Sequence, residues 1–262
     1  MFHSLNGDTL VKISQMCMRL AQIIAISLAC VEMASAGENV VLVHGLNMDG
    51  SAWHKVHKRL TSKGYDVTVV QMPMTSIQED VAAVNRVIDM QDGPVTLVGH
   101  SYGGMVISQA GMSPKVQALV YIAAFQPEVG ESLGYLNTSM PAELPQEAIR
   151  VSKDGYYVVA RDAWITYVAN GLTKSEAVYT ADFQSPANTS IFSYQAELAA
   201  WKHKPHWSLI ANDDLTITPE LQRMMSKRSK AKTSIVEGGH LLPISHSEEV
   251  AAVIESAASF VE

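Results

Sequence analysis

Ser101 sits in the run VGHSYGGM (residues 98–105), between a histidine and a tyrosine, with glycines at 99, 103 and 104. A serine hydroxyl attacks a carbonyl only when a base takes its proton and donors receive the negative charge that forms. Glycine loses more backbone entropy on folding than any other residue, so three in six positions call for a steric cause. A sharp strand-to-helix turn supplies one. Side chains two residues before and after the serine would collide there, and the spacing Gly99-x-Ser101-x-Gly103 is that of a nucleophile elbow. Gly104 would let the following helix start close to the strand. A phosphate-binding loop is the competing reading of the glycines, yet no Gly-Lys-Ser/Thr follows and no GxGxxG register fits.

A base for such a serine is expected last in the chain. His240 lies in GGHLL (residues 238–242), after a predicted strand and before the final predicted helix. The carboxylate that orients it should lie between the two, at the end of the preceding strand, where residues 208–215 (SLIANDDL) offer Asp213 and Asp214. Adjacent side chains cannot both face His240, and the other would be a solvated turn residue. Glu128, after an earlier strand, is a remote third candidate. The oxyanion needs two backbone N–H groups. Tyr102, at the start of the helix after the elbow, supplies one. Leu46, in VHGLN (residues 43–47), supplies the other if Gly45 permits an unusual backbone. His44 is expected to brace that loop by hydrogen bonds.

The elements that must position these residues follow an alternating pattern. Apolar, β-branched runs at residues 40–43, 65–70, 95–98, 116–122, 207–211 and 233–236 read as strands. Segments with helical periodicity lie between them, such as Ile77, Val81, Val84 and Ile88 on one face. Strands separated by helices imply right-handed βαβ units and a mostly parallel central sheet flanked by helices. The rhythm breaks between residues 127 and 203, too long for one loop of a compact domain. A mainly helical cap insertion is expected there. Its Trp164, Tyr167, Phe183, Phe192 and Trp201 read as the cap's own small core, with some lining a pocket over the serine.

VVLVHG, GHSYGG, DDLTITPELQR and GGHLLPISH together resemble the α/β-hydrolase superfamily, across nearly all of residues 38–262. The likeness is to the branch of plant methylketone, methylsalicylate and methyljasmonate esterases, hydroxynitrile lyases and bacterial pyrethroid-type esterases. That resemblance implies an α/β-hydrolase fold and a triad of Ser101, Asp214 and His240. The branch carries its acid in a D-R-T-I-x-P run, and residues 214–219 (DLTITP) match it with Leu215 in place of arginine. This register selects Asp214 over Asp213. Lyases of the branch resemble one another in a His-Thr after the first strand and a lysine after the catalytic histidine. This chain has Gly45 and Leu241 at those places, which argues against lyase chemistry.

Residues 1–36 read as a leader. Lys12 and Arg19 precede an apolar run at residues 20–31, and Ala34-Ser35-Ala36 has the small-x-small form of a signal-peptidase site. The run is short of the about 20 residues that span a bilayer. Cleavage after Ala36 would remove Cys17 and Cys30, leaving residues 37–262 with no thiol for a disulfide, a nucleophile or a metal. His54 and His57 stand three apart with no third ligand, so no metal is expected there, and a serine triad requires no organic cofactor. A net charge of −7 without basic clusters argues against nucleic acid as a partner. The expectation is a periplasmic or secreted serine esterase, with no membrane span after cleavage, acting on a small-molecule ester that carries an apolar group. The alternatives are another reaction of the same triad, such as perhydrolysis or C–C or C–CN cleavage, or a non-catalytic ligand-binding receptor.

Overall fold

The computed structural model describes residues 39–260. The expected leader, with its two cysteines and its cleavage point after Ala36, lies outside the described residues. In chain order the elements are β1 (Asn39–Val43), α1 (His54–Ser62), β2 (Asp66–Val69), α2 (Ile77–Asp89), β3 (Val95–His100), α3 (Gly103–Ala110) and β4 (Val116–Ile122). An insertion follows, with α4 (Leu133–Ser139), β5 (Ile149–Val151), β6 (Tyr156–Val159), α5 (Lys174–Asp182) and β7 (Ala187–Asn188). The chain closes with β8 (His206–Ala211), α6 (Pro219–Ser229), β9 (Lys232–Val236), α7 (Leu242–Ser245) and α8 (Ser247–Ala258).

Six strands form one sheet in the order β2-β1-β3-β4-β8-β9. Every neighbouring pair in it is parallel, as the alternating pattern predicts. Side chains of a strand alternate between its faces, and β1 shows what that does here. Val40 and Leu42 pack with Trp53, Val56 and Leu60 around α1 and with Val250 and Ile254 of α8. Val41 and Val43 pack on the opposite face with Val84 and Ile88 of α2, Met105 and Val106 of α3, and Leu221 and Met225 of α6. Both faces are thus covered, which is why the central strands are apolar at successive positions rather than at alternate ones. Each such side chain, fully buried, stabilises the fold by about 1.5–3 kcal/mol.

Strand β1 has β2 on one side and β3 on the other, so the order of building reverses between β1 and β3. A crevice opens at the carboxyl ends of the strands at such a point. Val43 pairs with Gly99 there, which sets the loop after β1 against the turn after β3. The sheet brings together what the sequence separates by more than fifty residues.

The insertion between β4 and β8 is more mixed than its composition suggests. Besides helices it holds an antiparallel sheet, β5-β6-β7, and one π-helical turn, Trp164–Val168. Its last part belongs elsewhere: Ala196, Ala199, Ala200 and Trp201 pack in the main core. Gln109 of α3 holds this stretch by accepting from the N–H groups of Glu197 and Leu198 and donating to the Leu198 carbonyl. Trp201 therefore joins the main core and not a core of the cap. Two ion pairs bind the cap to the sheet layer, Lys55–Glu176 at 2.7 Å and Arg228–Glu131 at 2.6 Å. No described helix is long and apolar enough to cross a membrane.

Candidate active site

Ser101 follows β3 directly and has a φ of 55°. That left-handed conformation costs an L-residue about 1–2 kcal/mol. Three backbone hydrogen bonds hold it: the Ser101 N–H donates to Ile122, and its carbonyl accepts from Gly104 and Phe125. The flanking glycines act through clearance. A Cβ on Gly99 would stand 2.5 Å from the Gly103 carbonyl oxygen, and one on Gly103 would stand 2.6 Å from that of Val43. A Cβ on Gly104 would overlap the Phe125 carbonyl oxygen. The turn, the strand before it and the helix after it are in backbone contact, and no side chain fits between them.

The three residues chosen from the sequence converge. His240 Nε2 lies 2.9 Å from Ser101 Oγ, and His240 Nδ1 lies 2.7 Å from Asp214 Oδ2. Asp214 is 1% exposed, His240 3% and Ser101 7%. The Asp214 carboxylate accepts from four donors: Thr216 N, Ile217 N, Gln222 Nε2 and His240 Nδ1. A carboxylate so surrounded accepts only, which leaves the proton on Nδ1 and the Nε2 lone pair facing the serine. Asp213, by contrast, is exposed, and its main chain links the loops: its N–H donates to Gly238 and its carbonyl accepts from Asn170. Glu128 pairs with Lys202 at 2.6 Å, and that pairing with its local hydrogen bonds lowers its pKa against the effect of burial.

Neither the Leu46 nor the Tyr102 N–H has a hydrogen-bond acceptor among the described residues. The loop after β1 reaches the serine for a different reason from the expected one. Gly45 stays outside the left-handed region, which Asn47 occupies at φ 58°. What Gly45 gives is room, since a Cβ there would lie 2.8 Å from Ser101 Cβ and 3.3 Å from its Oγ. His44 braces this loop, as its position suggests. Its Nδ1 lies 3.0 Å from the Gly45 carbonyl and its Nε2 accepts from Met72 N, while burial lowers its pKa.

Four supporting residues escape the motif reading. Gln222, buried on α6, donates to both Asp214 Oδ2 and the Ile217 carbonyl. His100 donates from Nε2 to the His240 carbonyl at 2.9 Å, and burial with the nearby His240 lowers its pKa to about 3. Asp80, fully buried on α2, accepts from the Tyr102 hydroxyl at 2.6 Å and from Met74 N. Burial raises its pKa while those donors oppose the rise. Asn170 of the cap donates to the Asp213 carbonyl at 2.6 Å, and its own carbonyl lies where a Cβ on Gly239 would be. One sign was legible: a glutamine among the apolar residues of the α6 face that carries Leu221 and Met225.

A cavity of about 720 Å³ opens over Ser101 and His240. Leu46, Phe125, Ile149, Tyr157, Trp164 and Phe192 are among its walls, and no Asp, Glu, Lys or Arg lines it. Trp164 and Phe192 of the cap thus serve as wall, and Trp164 is fixed by a bond from its indole N–H to Thr180 Oγ1. Among the described residues no cluster of three or more His, Cys, Asp or Glu side chains could hold a metal ion.

Residues 40–253 match the Alpha/beta hydrolase family. The chain belongs to that family. This α/β hydrolase is 29% identical to the α/β hydrolase nvfD of Aspergillus novofumigatus, over 84% of its own length and 96% of that protein's. It is 31% identical to Methylesterase 7 of Arabidopsis thaliana, over 41% of this chain and 47% of that one. Among solved structures it resembles the pyrethroid hydrolase of Sphingobium faniae, with a TM-score of 0.69 at 20% identity, covering 84% and 96% of the two chains. That structural likeness speaks for the fold. The plant-methylesterase and pyrethroid-esterase branch seen in the motifs is the one its relatives occupy, and ester hydrolysis in general is the chemistry they support.

Proposed function

We infer that the protein is a serine esterase that cleaves carboxylic esters with an apolar group through an acyl-enzyme. The observation that carries this reading is the hydrogen-bonded chain Asp214–His240–Ser101 at the floor of an uncharged cavity. Ser101 Oγ attacks the ester carbonyl carbon while His240 Nε2 takes its proton. The tetrahedral oxyanion accepts from the N–H groups of Leu46 and Tyr102. His240 then protonates the departing alkoxide, the C–O bond breaks, and the acyl group remains on Ser101. Water, deprotonated by the same nitrogen, attacks the acyl carbon, and collapse returns Ser101 with its proton and releases the acid. Asp214 holds the imidazole in its tautomer and stabilises the cation it becomes.

The test is a fluorophosphonate, which phosphonylates only an activated serine. We expect stoichiometric labelling at Ser101, together with turnover of p-nitrophenyl esters. Folded protein that neither takes the label nor turns over an ester would sink the reading. Export to the periplasm or medium, supported by the leader pattern of residues 1–36, belongs to the same proposal. N-terminal sequencing of the protein from those fractions checks it, with residue 37 expected first.

A further inference from the structure

The hydrogen-bonding side chains around the cavity divide sharply. Asn47 donates to the carbonyls of Tyr157 and Ser185, Thr138 to Gly134 and Tyr135, Thr189 to Gly155, and Thr216 to Tyr167. Each of these lining residues is already committed to the protein's own backbone. Tyr157 is not. It is 3% exposed and lines the cavity, and its hydroxyl has no hydrogen-bond partner among the described residues.

Nothing about Tyr157 is loose. It sits in the middle strand of the cap sheet, opposite Ala187 and Val151. Its ring packs on Phe192 with centroids 5.5 Å apart. Its carbonyl accepts at 2.9 Å from the side chain of Asn47, the residue after Leu46 in the loop beside the serine. A phenol in a protein interior normally finds a partner, and this hydroxyl is not among the polar atoms sealed away without one, so a bound molecule can reach it. Burial also holds its pKa above the ordinary value for a phenol, so the group remains an uncharged donor at any working pH.

We propose that Tyr157 is a specificity-determining residue that donates to a second oxygen of the substrate, so that the preferred ester is uncharged and carries an ether or carbonyl oxygen apart from the scissile group. This rests on the esterase reading above and deepens it. The uncharged wall supplies the other half of the selection. A carboxylate or ammonium on the substrate would be desolvated with no counter-charge in the lining, while a neutral oxygen needs only a donor such as the Tyr157 hydroxyl. Two amides of the lining, Asn137 and Gln146, also carry donors, and Gln146 is exposed; the Tyr157→Phe comparison below separates the phenol from them.

The test uses the full chain and two readouts. The first is kcat/KM for p-nitrophenyl octanoate and for analogues with an ether oxygen in place of the methylene at carbon 4, 5 or 6. In the parent protein one position should exceed the other two by about fivefold, the weight of one net hydrogen bond. Tyr157→Phe, which keeps the ring, should flatten that profile whatever it does to octanoate. A profile already flat in the parent, or one that Tyr157→Phe leaves unchanged, overturns the proposal. So does p-nitrophenyl hydrogen adipate turned over as well as p-nitrophenyl hexanoate. The second readout is calorimetric affinity of Ser101→Ala protein for the matching methyl esters, with and without Tyr157→Phe, where the same positional preference is expected. Binding preference without turnover in the parent would remove the esterase reading and keep Tyr157; turnover without preference would do the reverse.

Discussion

The loops at the sheet's edge and the cap above them solve the same problem, holding groups within an ångström or so, by opposite means. At the edge, backbone touches backbone: Gly99, Gly103, Gly104 and Gly45 each stand where a Cβ would strike a neighbouring main chain or Ser101 itself. In the cap, side chains do the holding: Trp164 through Thr180, Gln184 bridging both main-chain groups of Val159, Arg161 against Asp182. Backbone contact tolerates no substitution and leaves a glycine signature. Side-chain contact has many chemical solutions and leaves none.

The largest test of that contrast is at the proposed reacting groups. Ser101→Ala or His240→Ala should lower kcat by about 10⁵–10⁶-fold, and Asp214→Asn by about 10⁴-fold. Asp213→Asn should stay within about twofold of the parent, because its side chain is solvated and only its main chain links the loops. Equal losses at 213 and 214 would refute the assignment. Next comes the elbow itself. Gly104→Ala should destabilise the protein by about 3 kcal/mol, read by denaturant titration, since its Cβ has no room beside Phe125. Gly130→Ala in the cap, with φ 86° and open space around it, should cost about 1 kcal/mol. If the two cost the same, the contrast between edge and cap fails.

A smaller effect is expected where the two regions meet. Asn170 belongs to the cap but its amide holds the Asp213 carbonyl, one residue from Asp214, and its main chain abuts Gly239, one residue from His240. Asn170→Asp keeps the size and loses the donor. It should lower kcat by about tenfold with KM unchanged, because misplacement of the base acts on the chemical step. A change in KM alone would make Asn170 part of the pocket and not a positioning residue. The mildest expectation concerns acid stability. His100 has a folded pKa of about 3 against an ordinary 6.5. Between those values the unfolded chain binds a proton that the folded one does not, so stability is full above pH 6.5 and falls as pH drops toward 3. His44 acts in the same direction. His100→Gln should show a shallower fall in Tm from pH 6.5 to 4; parallel curves would exclude His100 as the source.

Reading the chain went furthest where spacing and sterics coincide. All six strands of the main sheet and the meeting of Ser101 with His240 follow from runs of β-branched residues, glycine pairs and chain order, which place the carboxylate at 213 or 214; the DLTITP resemblance chose Asp214. Gly45 was legible as a glycine but not in its reason, because clearance above Ser101 depends on the β1–β3 register that no local pattern encodes. The cap sheet went unseen for a related cause: β5, β6 and β7 are only 3, 4 and 2 residues long, too short for alternation to emerge. Gln222, His100, Asp80 and Asn170 are single polar residues in apolar or irregular surroundings. Their partners lie on other elements, and only the folded chain names them.

The uncharged wall also bears on how the reaction would end. In the proposed reaction an uncharged ester would enter this cavity, whereas the acid leaving it would ionise as soon as it is free at neutral pH. No lysine or arginine stands in the lining to retain that anion, and the walls offer it less solvation than water does. If the esterase reading holds, that surface disfavours the ionised product, and accumulated acid should inhibit only weakly. In the proposed reaction, release of the acid then follows from the uncharged wall, with no moving part required.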